Sequence, residues 1–235
     1  MEKKYIILPT YNEKDNLTDL IEAILNLQIF NLHIIIVDDN SPDGTGRIAD
    51  QLSQTHPGVS VIHREGKMGL GSAYITGFKR ALAVGADLIF EMDADFSHNP
   101  KEIPNFIKAI QEGYDVVVGS RRIPDGGILN WGIARNIMSK GAMWFSRLVL
   151  GLKTKDVTSG YRCYSQKVIK AINWGQIKSN GYSFQEETIF RCEKMSFKVK
   201  EIPIVFRDRV KGKSKLSKTE ILNFFLTIIR LRFKK

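Results

Sequence analysis

This 235-residue chain has only two cysteines and no uncharged apolar run of 18 residues. Cys163 and Cys192 cannot form a disulfide framework, and no C-x-x-C spacing exists, so both thiols read as buried or incidental in a reducing compartment. The opening apolar stretch stops at Pro9, too soon for a signal peptide. Without a long apolar run, no transmembrane helix is expected, and a cytoplasmic location follows as an expectation. Internal repeats and low-complexity segments are absent. Acidic residues are also few, 25 against 35 Lys and Arg, for a net charge of +10. The excess is concentrated. Residues 207–235 carry ten Lys or Arg against Asp208 and Glu220, a net +8, which leaves +2 for the first 206 residues. A basic tail on a near-neutral body implies an anionic partner: nucleic acid, an acidic membrane surface or a phosphorylated substrate. No nucleic-acid-binding motif is present, so nucleic acid is not an expected partner.

The first 120 residues alternate β-branched runs with helical periodicity. Tyr5 to Leu8, Ile34 to Val37, Val59 to Ile62, Leu88 to Met92 and Val116 to Val118 predict strands. Between them lie helical patterns through Leu17, Leu20, Ile21 and Ile24, through Ile48, Ala49 and Leu52, from Gly69 to Ala83, and through Ile103, Phe106, Ile107 and Ile110. Such alternation predicts an α/β fold with a mostly parallel sheet flanked by helices. The second half is less regular. Residues 128–152 form an amphipathic stretch rich in bulky apolar residues, Trp131 and Trp144 among them. It fits either a core helix or a helix in a membrane interface. Ile221 to Ile229, followed by Arg230, Arg232, Lys234 and Lys235, is too short to span a bilayer. It suits shallow insertion against anionic lipid or packing on the sheet. The expected division is a catalytic domain over 1–210 and a basic loop with an amphipathic helix over 211–235.

Ligands of parallel sheets gather beyond the carboxyl ends of the strands. Three acidic turns lie there: Glu13, then Asp38 and Asp39, then Asp93 and Asp95. The last falls in Glu91-Met92-Asp93-Ala94-Asp95-Phe96-Ser97-His98. Carboxylates at i and i+2 of a strand share a face, and a divalent cation between them relieves their repulsion while leaving sites for phosphates. With 13 Asp in the chain, roughly 0.7 Asp-x-Asp arises by chance, so the spacing alone proves nothing and its surroundings decide.

Those surroundings are Pro9-Thr10-Tyr11-Asn12-Glu13, Val37 to Thr45, Gly69-Leu70-Gly71-Ser72-Ala73-Tyr74, Asp93 to His98, and the later Asp208-Arg209-Val210 with Gly212-Lys213-Ser214-Lys215-Leu216. In this order, over about residues 4–222, they resemble family-2 glycosyltransferases of the GT-A fold, and more narrowly the polyprenol-phosphate (dolichol-phosphate) mannosyltransferases. One departure is Asn40, where Gly is common. Asn tolerates a left-handed backbone, so the turn is expected to survive.

The resemblance implies transfer of mannose from GDP-mannose to a polyprenyl or dolichyl phosphate, with Mg2+ or Mn2+ as cofactor. Transfer from another donor such as UDP-glucose is the alternative. Pro9, Tyr11 and Glu13 would line the nucleotide, and Val37 and Asp39 would hold guanine and ribose. The residues alone equally fit a strand-to-helix turn at Pro9 and a capped helix after Asp39, a task that suits Ser41 better. Asp93, Ala94 and Asp95 would meet the donor, with Asp93, Asp95 and Ser97 on the metal and His98 either adding a contact or merely solvated. Arg209 and Lys215 would approach the diphosphate from a loop that on composition alone is a basic linker. Arg121, Arg135 and Ser139 would grip the acceptor phosphate, and Asp95 and Arg121 are the implied catalytic residues. Partners implied are a membrane surface, met peripherally at its cytoplasmic face, and a small membrane-anchoring subunit, which the resemblance admits without requiring.

Overall fold

The computed structural model describes residues 2–177, 179, 181–207 and 218–233. Arg209 and Lys215 lie outside the described residues, as does most of the expected basic loop.

The β-branched runs become strands: β1 (Lys4–Thr10), β2 (Leu32–Asp38), β3 (Val59–His63), β4 (Leu88–Glu91), β5 (Val116–Ser120), β7 (Arg162–Ser165) and β8 (Val199–Pro203) form one sheet in the order β3-β2-β1-β4-β7-β5-β8. β1 pairs in parallel with β2 and β4, β2 with β3, and β5 with β8; β7 alone runs antiparallel to its neighbours β4 and β5. The mostly parallel sheet is as expected. A separate two-stranded parallel ribbon joins β6 (Gly127–Leu129) to β9 (Val205–Arg207).

Alternate residues on each strand bury on opposite faces. Ile6, Leu8, Ile34 and Ile36 meet Leu17, Leu20 and Ile24 of α1 (Lys14–Leu25), Ala49 and Leu52 of α2 (Thr45–Thr55), and Ile103, Phe106 and Ile107 of α4 (Ile103–Gln111). Ile7, Ile35 and Val37 face Ala73, Tyr74 and Phe78 of α3 (Leu70–Ala83) and Phe184 and Ile189 of α7 (Tyr182–Lys194), with α6 (Gln166–Ala171) on the same side. α3 lies so close to β1 that a Cβ at Gly77 would collide with Ile7. Both cysteines are buried and unpaired.

Four expectations need correction. α2 begins at Thr45 behind Gly44, which sits at φ +94°, so neither Asp39 nor Ser41 caps it; Ser41 instead donates to Asp38 at 2.6 Å. β4 stops at Glu91, so Asp93 and Asp95 lie in the turn beyond it and strand alternation does not orient them. The core-helix reading of residues 128–152 also fails: α5 (Ile133–Leu150) buries only Met143 and Ser146. Ile133, Ile137, Trp144 and Leu148, spaced along one helical face, stay exposed. α8 (Lys218–Phe233) is half buried, but it packs on two helices rather than on the sheet, a correction to the sheet-packing reading. Phe224, Ile228 and Leu231 are buried while Leu226, Ile229 and Phe233 face outward. It docks on α7 through Arg230 to Glu187 at 3.2 Å and on α5 through the Phe145–Phe225 ring pair. Asn40 adopts φ +55°, the left-handed turn anticipated for it.

Candidate active site at the strand ends

The carboxyl ends of β1, β2, β4 and β5 and the start of the reversed β7 share one rim. At β1 and β2 the acidic turns are cross-braced. Thr10 donates to Asp38 at 2.9 Å, and the Glu13 amide donates to Thr45 Oγ1 at 2.9 Å. Arg64 forms a buried ion pair with Asp39 and also donates to Ser72 at 2.6 Å, tying β2 to the start of α3. Lys67 Nζ lies 4.7 Å from the centre of the Tyr11 ring, within cation–π range. Pro9 pairs in register with Val37, whose side chain is buried in the core. Only its main chain can face a ligand.

Beyond β4, Asp93 is part exposed. Its Oδ1 accepts from Tyr74 at 3.3 Å, and its amide donates to His98 Nδ1 at 3.1 Å. That bond places the proton of a neutral His98 on Nε2, 4.0 Å from Asp93 Oδ2. Burial pushes the His98 pKa down to about 4, against the pull of Asp95 and with the help of Arg121. Asp95 is buried and accepts the Ser97 amide at 3.0 Å. Ala94 is buried between them.

Among the described residues no three His, Cys, Asp or Glu converge as a ready-made metal cage. The turn after β4 carries instead two carboxylates and the Ser97 hydroxyl, which is buried and has no hydrogen-bond partner among the described residues. Hard oxygen donors in a set this small suit Mg2+ or Mn2+, which keep positions for phosphate oxygens and water. Asp93, Asp95 and Ser97 therefore fit such an ion.

At the end of β5 the charge reverses. Arg121 is buried and clamped by Asp156, donating through Nε at 2.7 Å, Nη2 at 2.7 Å and its amide at 2.9 Å, with a further bond to Thr158 at 2.8 Å. Burial raises the pKa of Asp156, yet the Arg121 guanidinium outweighs it and holds the carboxyl below its usual range. Arg121 lies 5.3 Å from the Phe206 ring centre and 5.9 Å from Trp131, over which Arg135 stacks at 4.0 Å. Arg122 reaches α5, donating to Asn136 at 2.7 Å and Ser139 at 3.1 Å. Phe206 also meets His98 edge-on at 5.9 Å, and His98 stacks on Tyr161. A continuous wall of side chains thus joins the carboxylates Asp93 and Asp95 to the arginines.

The sequence singled out Asp93, Asp95, Arg121 and Arg135 but not what holds them. Arg64, Lys67, Asp156, Thr158 and Phe206 went unflagged, Tyr74 was noted only within a motif and given no task, and Arg122 was overlooked although it adjoins Arg121. Asp156 lies 35 positions from Arg121, and no local spacing could have revealed the pair. Beneath the rim the buried Arg162 donates to the carbonyls of Val157, Ser159 and Gln185 at 2.8–2.9 Å, fixing the segment that carries Asp156 and Thr158.

The sequence pattern of Glycosyl transferase family 2 matches residues 5–172. The chain is 42% identical over 221 residues to a polyprenol monophosphomannose synthase of Mycolicibacterium smegmatis, covering 94% of this chain and 83% of that one. It is 42% identical over 211 residues to an undecaprenyl-phosphate mannosyltransferase of Micrococcus luteus, covering 90% and 86%. Among solved structures, glucosyl-3-phosphoglycerate synthase from Mycobacterium tuberculosis, in complex with Mn2+, UDP-glucose and phosphoglyceric acid, superposes with a TM-score of 0.71 at 17% identity over 97% of this chain and 80% of that one. The latter likeness is one of fold, and it agrees with the GT-A-type architecture expected of the sequence.

Proposed function

Because the chain belongs to glycosyl transferase family 2, we propose that it moves mannose from GDP-mannose to a polyprenyl phosphate, inverting the α-linked donor to a β-linked product. The observation that carries this reading is the joining, on one rim, of a carboxylate pair suited to a divalent cation and a cluster of three arginines, Arg121, Arg122 and Arg135. The first suits a nucleoside diphosphate, the second a separate anion. Relatives named for mannosyl transfer to polyprenyl phosphates support mannose as the sugar and a polyprenyl phosphate as the acceptor.

In this reading Tyr11, with Lys67 above it, and Glu13 line the base and ribose. Asp39, fixed by Arg64 and by the Met68 amide, lies beside the same nucleotide, and the main chain of Pro9 and Val37 forms the floor. A cation held by Asp93, Asp95 and Ser97 neutralises charge on the departing diphosphate. Arg135 and Ser139 hold the acceptor phosphate beside Arg121. A phosphomonoester is largely dianionic at neutral pH, so no side chain has to remove a proton. An acceptor oxygen forms the new bond to the anomeric carbon as the bond to the GDP phosphate breaks. The protein's task is alignment and charge stabilisation.

The lipid acceptor calls for a membrane surface, and two adjoining helices offer one. Ile133, Ile137, Trp144 and Leu148 of α5 and Leu226, Ile229 and Phe233 of α8 are exposed, with Lys140, Arg230 and Arg232 on the same helices. This suits shallow, peripheral contact with anionic lipid at the cytoplasmic face. Among the described residues no helix is long and apolar enough to cross a membrane.

The test is incubation with Mg2+, phytanyl phosphate and either GDP-mannose or UDP-glucose, the lipid product being weighed by mass spectrometry. A hexosyl-phosphate lipid from GDP-mannose alone is expected. Equal turnover of UDP-glucose would overturn the mannose assignment, and no product from either donor would overturn the function.

A further inference from the structure

Arg122 has so far been given no task, and its surroundings suggest one. The first ten residues of α5 bury no side chain, since its buried residues are Met143 and Ser146. The helix opens behind Gly132, which supplies no side-chain cap. Apolar packing therefore cannot fix where this half of the helix stands. Arg122 grips it instead, with Nη1 on Asn136 Oδ1 and Nη2 on Ser139 Oγ, acceptors three residues apart on one helical face. Its Nε is buried without a partner among the described residues, so the side chain is committed to this span rather than to solvent.

The direction of the bond to Ser139 matters. A hydroxyl has one proton to give. With Arg122 donating to its oxygen, that proton is left for another acceptor, and no such acceptor is present among the described residues. A serine inside a helix otherwise tends to turn its hydroxyl back on the carbonyl four residues earlier. We propose that Arg122 is a positioning residue for the lipid-phosphate acceptor: its guanidinium fork holds Ser139 and the opening turns of α5 so that the Ser139 hydroxyl donates to the acceptor anion. This rests on the acceptor reading given above. Lysine cannot substitute, because an ammonium has no planar fork to span two acceptors at a fixed separation.

The experiment compares the wild-type enzyme with Arg122→Lys, Ser139→Ala and the double variant, measuring KM for phytanyl phosphate, KM for GDP-mannose and kcat. Loss of one hydrogen bond to a charged group predicts a rise of about 10- to 100-fold in the acceptor KM for Arg122→Lys, with the donor KM unmoved. The double variant should be no worse than Ser139→Ala, because both changes remove the same contact. An unchanged acceptor KM in Arg122→Lys, multiplying effects in the double variant, or a parallel loss of donor affinity would each overturn the proposal while wild-type transfer stands. Absence of wild-type transfer to any polyprenyl phosphate would sink this inference and the function together.

Discussion

Replacing Asp156 with Ala tests whether the rim depends on the clamp around Arg121. Asp156 is fully buried and the Arg121 side chain is 4% exposed, so neither charge can turn to water for compensation. The substitution removes all three bonds that Arg121 makes to the carboxylate. It also takes the carboxylate away from a guanidinium that lies beside Arg122, whose pKa is already lowered by burial and by Arg121. Removing one partner of a buried pair costs about 3–5 kcal/mol. For a domain of this size each kcal/mol lowers Tm by about 2–4 °C, so a drop of about 6–20 °C is expected at pH 7. Asp156→Asn should fall in the same range, since its amide would present N–H groups to a donor. The pH dependence supplies a second check. The folded pKa of Asp156 lies below its unfolded value, so its contribution is complete above the unfolded pKa of about 3.9 and is lost as pH falls through the folded value. The gap between wild type and Asp156→Ala should therefore close in acid. Thermal melts from pH 7 to pH 3 measure it, and a drop under about 2 °C at pH 7 would refute the reasoning.

Other perturbations bear on other parts of the molecule. Gly77→Ala drives a methyl group into Ile7 and should cost about 1–3 kcal/mol in urea unfolding; an unchanged midpoint would mean that α3 shifts freely. Glu186, which accepts from Ser146, has its pKa pushed well above the carboxylate range by burial. Its contribution is present below the unfolded pKa and lost as pH rises through the folded one. Glu186→Gln should remove that decline on the alkaline side, and parallel stability profiles for the two proteins would rule it out. Replacing exposed Trp144 and Leu148 with Ser should leave stability within about 0.5 kcal/mol while reducing sedimentation with anionic vesicles at least about tenfold; undiminished vesicle binding would move the membrane contact elsewhere. Asp95→Asn should abolish transfer and weaken Mn2+ binding, measured by electron paramagnetic resonance without nucleotide. Retained Mn2+ affinity would remove Asp95 from the metal site.

The first half of the fold was legible because each element there has one dominant period. Leu17, Leu20, Ile21 and Ile24 were expected on the inner face of a helix, and these four are what α1 buries. The five predicted strands of that half fall within two residues of β1 to β5 at either end. The second half resisted because its elements contradict their patterns. β7 carries Arg162 into a fully buried position, which no hydrophobic pattern reveals, and α5 exposes the large apolar residues that normally mark a core. At the rim, the residue types were readable and their bonding was not. Asp39 reads as an open acceptor in the sequence, yet Arg64, 25 positions on, occupies one of its oxygens. Asp93 and Asp95 looked like strand neighbours, but the strand ends two residues earlier.

The reversed direction of β7 acts as a spacer. Were β5 hydrogen-bonded directly to β4, the chain leaving Glu91 and the chain leaving Ser120 would emerge one strand apart, about 4.8 Å. The inserted strand doubles that to about 10 Å, which sets the turn carrying Asp93 and Asp95 apart from the turn carrying Arg121. Because β7 runs backward, the chain preceding it returns at the same rim, and Gly160 lies on that return. A side chain at that position would begin 3.7 Å from Asp93, His98 and Gln185. A methyl group there would meet all three in ordinary contact, so residue 160 is where a longer side chain would press at once on the turn of Asp93, on His98 and on α7.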